Sequence, residues 1–137
     1  MTKPKNYPFV EPEIAILADK HHGFAFYDPS DLNYYYNIDL GDEVLYKEED
    51  CEDIYCYAAA PLYQQLIDWL REEHFIHISI TPDWVYDEDT HNSTYDEWYY
   101  ELENLSKDKR AYTGKKGTKE NYYDALQEAI KKAFELI

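Results

Sequence analysis

The clearest apolar rhythm in the chain lies at residues 61–73, where Leu62, Leu66 and Leu70 recur at four-residue steps with Ile67 and Trp69 beside them. That spacing makes one stripe of an amphipathic helix, opened by Pro61 in its first turn. A second helical stripe closes the chain through Tyr122, Leu126, Ala129, Ile130, Ala133 and Ile137, with Thr118 as its expected N-cap. A shorter helix is predicted from Glu11-Pro12-Glu13, carried by Ile14, Leu17 and Ala18. It is ended by Lys20-His21-His22-Gly23, where cations and then a glycine suit a helix C-terminus.

Elsewhere the period shortens to two. Ile76, Ile78 and Ile80 alternate with His77 and Ser79, which predicts a half-buried strand over Phe75–Thr81 with Pro82 as its end. Trp84–Tyr86 reads as a strand resuming after the proline and Trp98–Leu102 as its partner, joined by a polar hairpin loop over Asp87–Asp96. Phe24–Tyr27, stopped by Asp28-Pro29-Ser30, and Tyr34–Ile38 are further short aromatic strands. Val44–Asp53 reads as a solvated loop, and Lys107–Thr118 as a basic loop freed by Gly114 and Gly117. These elements predict an α+β fold, three helices packed on an antiparallel sheet of three to four strands. The chain of 137 residues has no internal repeat and is expected to form a single domain over 1–137, with residues 1–10 as a loosely ordered arm.

Charge changes the picture more than length does. The chain carries 29 acids against 13 bases, a formal net charge of −16. Such a balance disfavours direct binding of nucleic acid, which draws its energy from cations displacing condensed counterions. Between Asp83 and Glu103 every charged residue is an acid, and Asp31 to Asp53 holds a single base, Lys47. Lys107, Lys109, Arg110, Lys115, Lys116 and Lys119 gather on the basic loop. No run approaches the roughly 18 apolar residues that a membrane helix needs, and Met1 to Val10 has no apolar signal core, so the expectation is a cytoplasmic protein without membrane contact.

Tyrosine is the other excess, at 16 residues. The clusters Tyr34-Tyr35-Tyr36, Tyr55 with Tyr57, Tyr99-Tyr100 and Tyr122-Tyr123 place neighbours on opposite faces of a strand, so part of the set is expected at the surface. Two uses compete there: half-buried positions with the hydroxyl in water, and a recognition surface that offers contact area at low entropic cost. The candidate binding residues are the acids and aromatics nearest one another in sequence. They are Tyr34, Tyr35, Tyr36, Asp39, Asp42 and Glu43 in one tract, and Asp87, Glu88, Asp89, Trp98 and Tyr100 in the other.

Catalytic and metal motifs are thin. Cys51 and Cys56, separated by four residues, lack a second pair for zinc and read as reduced thiols. His91 with Asp87, Asp89, Asn92 and Asp96 lacks the central glycine and terminal acid of a calcium loop. Gly114-Lys115-Lys116-Gly117-Thr118 misses the phosphate-loop spacing, and no serine falls in a nucleophile elbow. No cofactor and no metal are implied, and the balance of the residues is against an enzyme.

Two segments carry a resemblance. Ala60-Pro61-Leu62-Tyr63-Gln64-Gln65-Leu66-Ile67-Asp68-Trp69-Leu70-Arg71-Glu72-Glu73-His74 running into Ile76–Ile80, together with Tyr122-Tyr123-Asp124-Ala125-Leu126-Gln127-Glu128-Ala129-Ile130, resembles short uncharacterised proteins of Bacteroidetes and their prophages and gut phages. The resemblance implies a phage or prophage context and supplies no activity or site residues. The leading expectation is an accessory protein that docks on a protein partner with a basic surface, in one version by mimicking nucleic acid before a host defence protein. The alternative is a small enzyme or ligand-binding protein with a site of scattered Tyr, Asp, Glu and His residues.

Overall fold

The computed structural model describes residues 6–21, 34–52, 56–105, 111–112, 116–119 and 121–137. Their elements run α1 (Pro12–Asp19), β1 (Tyr34–Asn37), β2 (Leu45–Lys47), a single 3₁₀ turn (Glu48–Asp50), β3 (Tyr57–Ala59), α2 (Tyr63–His74), β4 (Ile76–Asp87), β5 (Asn92–Asn104), β6 (Ala111–Tyr112), β7 (Lys116–Lys119) and α3 (Tyr122–Glu135). The class is α+β. The strands divide into two antiparallel sheets, one ordered β2-β1-β3 and one in which β5 pairs with β4, β6 and β7. The described residues up to Trp69 form one compact unit and those from Leu70 onward another.

In the first unit β1 is the central strand. Tyr36 pairs with Leu45 on one side and Ala58 on the other, and its side chain is fully buried. α1 packs on β3 and buries Ile14, Ala15 and Ala18. Pro12 sits in its first turn as expected, but the helix ends at Asp19 with right-handed Lys20 as its cap, before the expected glycine. Gly23 and the strand expected at Phe24–Tyr27 lie outside the described residues. The loop expected over Val44–Asp53 is instead β2 followed by the 3₁₀ turn. Its strand comes from pairing with β1, Tyr46 opposite Tyr35, and local pattern carries no trace of a partner distant in sequence. Residues 6–10 also depart from the expected loose arm. Phe9 bridges to Leu62, the Val10 amide donates to the Pro61 carbonyl at 3.0 Å, and Val10 is buried.

α2 follows its stripe closely, burying Leu66, Trp69 and Leu70. The Gln65 side chain accepts the Leu62 amide at 2.8 Å, so one of the amides at the helix entry has a partner. The helix stops at Phe75, whose φ of 58° is the left-handed conformation common one residue past a helix end.

In the second unit β4 and β5 form a long hairpin, and α3 packs on β4, β5 and β7. Pro82 does not end the strand. β4 runs through it, with Pro82 opposite Trp98, so the two expected strands are one. A proline is tolerated there because, among the described residues, β4 is paired on one side only, to β5, and has no second ladder to lose. The expected long loop over Asp87–Asp96 shrinks to residues 88–91, closed by Asp87 opposite Asn92. Within the expected basic loop, Ala111–Tyr112 and Lys116–Lys119 are strands on β5. Thr118 therefore belongs to β7 and does not cap the helix. Asn121 does, its Oδ1 accepting the Asp124 amide at 2.9 Å. Ala125, Leu126, Ala129, Ile130, Ala133 and Phe134 form the buried face of α3. Among the described residues no helix is long and apolar enough to cross a membrane.

Candidate functional site

The pairing of β4 with β5 sorts the hairpin into two faces. Ile76 with Asn104, Ile78 with Leu102, Ile80 with Tyr100 and Pro82 with Trp98 share one face, since directly opposed residues project to the same side of a sheet. His77 with Glu103, Ser79 with Glu101, Thr81 with Tyr99 and Asp83 with Glu97 share the other. The first is the covered face. Leu102 and Tyr100 are buried on it, and the Trp98 ring meets Tyr122, the first residue of α3, edge-on at 5.5 Å.

Cover thins toward the hairpin end. Ile76 is buried, Ile78, Ile80 and Pro82 are half-buried, and the last members of the row, Trp84 and Tyr86, are 60% and 57% exposed. The register slips between Asp83 and Trp84, leaving Asp96 without a partner on β4, a bulge that adds local twist without disturbing the alternation along β4 itself. The charged residues of this hairpin are all acids. Asp87, Glu88 and Asp89 are exposed in the turn, Glu97 is exposed on β5, and no lysine or arginine occurs from Ile76 to Asn104. The turn is well defined: the Asp89 amide donates to Asp87 Oδ1 at 2.9 Å, His91 takes a left-handed φ of 58°, and its Nδ1 lies 3.1 Å from the Tyr86 hydroxyl.

The residues expected from sequence distribute as follows. Asp87, Glu88 and Asp89 stand at the hairpin end, with half-buried Trp98 further down the same hairpin. Tyr100 is not a surface residue. It is buried under α3, and burial first, then Glu128, pushes its hydroxyl above the ordinary value. Tyr36 is likewise interior, donating to the Val10 carbonyl at 2.6 Å and accepting from Asn6 at 3.2 Å. Burial holds its pKa above 10.0. Tyr35 is half-buried and also raised by burial, then by Glu48. Asp39, Asp42 and Glu43 follow β1 in a turn knit by the Asn37 and Asp42 side chains, beside exposed Leu40 and Val44. The two tracts fall in different units, so the expected set forms one group in each.

Trp84 and Tyr86 were not singled out by sequence reasoning. The signal was present, because they continue the phase of Ile76, Ile78 and Ile80 at two-residue steps. Taking Pro82 as a stop broke a row that runs on through it.

A cavity of about 460 Å³ in the first unit is lined by Tyr34, Lys47, Glu48 and Glu49. Nearby Cys51 donates to the Lys47 carbonyl at 3.4 Å, and burial followed by Asp50 and Glu48 pushes its thiol above 9.0. A thiol so held stays protonated at neutral pH, the opposite of an activated nucleophile. Among the described residues no group of three or more His, Cys, Asp or Glu side chains converges to hold a metal ion. The chain matches no family model, no curated protein and no solved structure.

Proposed function

We propose that this chain is a binding protein that docks on the basic surface of another protein, acting through the end of the β4–β5 hairpin. The observation that carries this reading is the exposure of Trp84 and Tyr86 on a hairpin, Ile76 to Asn104, whose own charged residues are all acids. Large aromatics at the centre of a patch are the residue types that anchor interfaces, while like-signed charge around them speeds encounter with an opposite partner. An accessory role in a phage or prophage, implied by the resemblance of the α2–β4 and α3 segments, is compatible with such docking and belongs to the same proposal. Strict mimicry of nucleic acid is the weaker version, because a mimic needs spaced charge and has no use for exposed indole and phenol rings.

The test is binding to short lysine-rich peptides that carry leucine or tyrosine anchors, followed through the salt range. Trp84→Ser together with Tyr86→Ser is expected to weaken binding by roughly ten-fold or more, chiefly in the dissociation rate. Replacing Asp87, Glu88 and Asp89 by their amides is expected to slow association and flatten its salt dependence. Affinity indifferent both to salt and to loss of Trp84 and Tyr86 overturns the reading.

A second reading, ligand binding in the cavity beside Lys47, rests on a volume within the roughly 300–1,000 Å³ common for small-molecule sites. Its charged lining departs from the largely apolar walls of such sites. A thermal shift with one class of small anion or sugar, abolished by Lys47→Ala, is the outcome that favours it.

A further inference from the structure

The sheet of the first unit has two faces of different character. Directly opposed residues project to the same side, so Tyr34, Tyr36, Leu45, Lys47 and Ala58 share one face and Tyr35, Asn37, Tyr46, Tyr57 and Ala59 the other. The first is the covered one: Tyr36 and Ala58 are fully buried, and the Tyr34 ring meets Phe9 at 5.1 Å. Every residue of the second keeps part of its surface exposed.

Three tyrosines carry that second face. Tyr46 and Tyr57 stand on the two outer strands, and their rings meet across β1 with centroids 5.6 Å apart and planes at 77°. Rings so crossed make a corner bounded by a face of each. Tyr35 lies on β1 directly opposite Tyr46, and Ala59, opposite Tyr35 on its other side, adds only a methyl group to the face. Carboxylates act on this corner. Partial burial, then Asp42 and then Tyr57, holds the Tyr46 hydroxyl above 10.0, and burial, then Glu48 and then Cys51, does the same for Tyr35. Surroundings that resist a phenolate favour the opposite charge. Lys47, the base between Asp42 and Glu48 in sequence, belongs to the other face.

An occupant of this corner faces two demands. It must be a cation, because ring faces carry the negative part of the aromatic quadrupole and hold a positive centre within roughly 6 Å of a centroid. It must also need few hydrogen bonds, because an ammonium without methyl groups brings three donors that ring faces satisfy poorly. A fully methylated ammonium meets both demands, since its outer surface is apolar. We propose that the corner of Tyr46 and Tyr57, with Tyr35 beside it, binds a small quaternary ammonium compound of the choline type. A phosphate attached to that compound weakens it, because Asp42 and Glu48 repel a second anion. This site is independent of the docking role proposed above.

Choline and its uncharged analogue, in which carbon replaces the nitrogen, test this on the whole chain by proton NMR titration. Choline is expected to shift the ring signals of Tyr46 and Tyr57 and to bind roughly ten-fold tighter than the carbon analogue, with ethanolamine and phosphocholine also weaker than choline. Tyr46→Leu and Tyr57→Leu are each expected to weaken choline by roughly five-fold or more, whereas Tyr46→Phe and Tyr57→Phe, which keep the ring faces, retain it. Trp84→Ser is expected to leave choline binding unchanged. Equal affinity for choline and the carbon analogue, no binding of either, or choline affinity that survives both leucine variants overturns the site. Loss of choline binding in Trp84→Ser places the ammonium on the hairpin and overturns it as well. A trimethyllysine peptide held more tightly than free choline assigns the corner to a protein partner and overturns the choice of ligand.

Discussion

Whether a tyrosine of this chain serves the interior or the surface is decided by what its hydroxyl can reach. Tyr36 is fully buried, and its hydroxyl has two partners, the Val10 carbonyl and the Asn6 amide. Tyr36→Phe keeps the ring but leaves the Val10 carbonyl without that donor, an expected loss of about 1–3 kcal/mol in a denaturant titration with unchanged slope. Acidity adds a second readout. Burial raises the folded-state pKa of Tyr36 above the ordinary 10.0, so the unfolded chain loses this proton first as pH rises. Its contribution is complete below 10.0 and declines as pH climbs through 10.0 and on through the raised folded value. Denaturation midpoints taken on both sides of that point should fall with pH, and less steeply in Tyr36→Phe. An equal fall in both proteins assigns the alkaline loss to other groups, among them Tyr35 and Tyr100, which burial also raises.

Elements differ in how far their own residues determine them. α3 is held at its start by a reciprocal pair, Asn121 Oδ1 accepting the Asp124 amide at 2.9 Å and Asn121 Nδ2 donating to Asp124 Oδ2 at 2.8 Å. Asn121→Ala is expected to lower stability by about 1 kcal/mol, and Asn121→Ser to restore most of it, measured by thermal or urea unfolding. The stripe of this helix was legible in the sequence because a 3.6-residue period is written in consecutive residues. Its start was not. Thr118 is as good a capping residue as Asn121, and what excludes it is the pairing of β7 with β5, a contact between distant segments. The same reason hid β2 and β3 and made Pro82 look like a stop, since a proline ends an interior strand and is tolerated in an edge one. The α+β class and the helical faces were thus readable, and strand order and edges were not. For the proposed docking surface, composition pointed to the acids at Asp87, Glu88 and Asp89. Trp84 and Tyr86 were readable as the continuation of the Ile76, Ile78 and Ile80 phase, but their exposure was not, because it depends on α3 making its contact further down the hairpin, where Tyr122 meets Trp98.

At the scale of the whole molecule, charge makes two predictions of opposite sign. A chain with 16 more acids than bases repels itself most strongly when folded, because unfolding lets the carboxylates move apart. Added salt shortens the screening length from about 30 Å at 0.01 M to about 8 Å at 0.15 M. The melting temperature is therefore expected to rise by several degrees over that interval. The proposed docking on a basic partner is expected to respond the other way, because the same ions screen an attraction across the interface and slow association. Measuring both on one protein separates the electrostatic account from a general effect of salt on packing. An apolar contact between the chain and its partner would tighten as salt rises, and compensated surface charges would leave the melting temperature flat. Stability rising while affinity falls is the pattern that only uncompensated negative charge on the folded chain, meeting positive charge on the partner, produces.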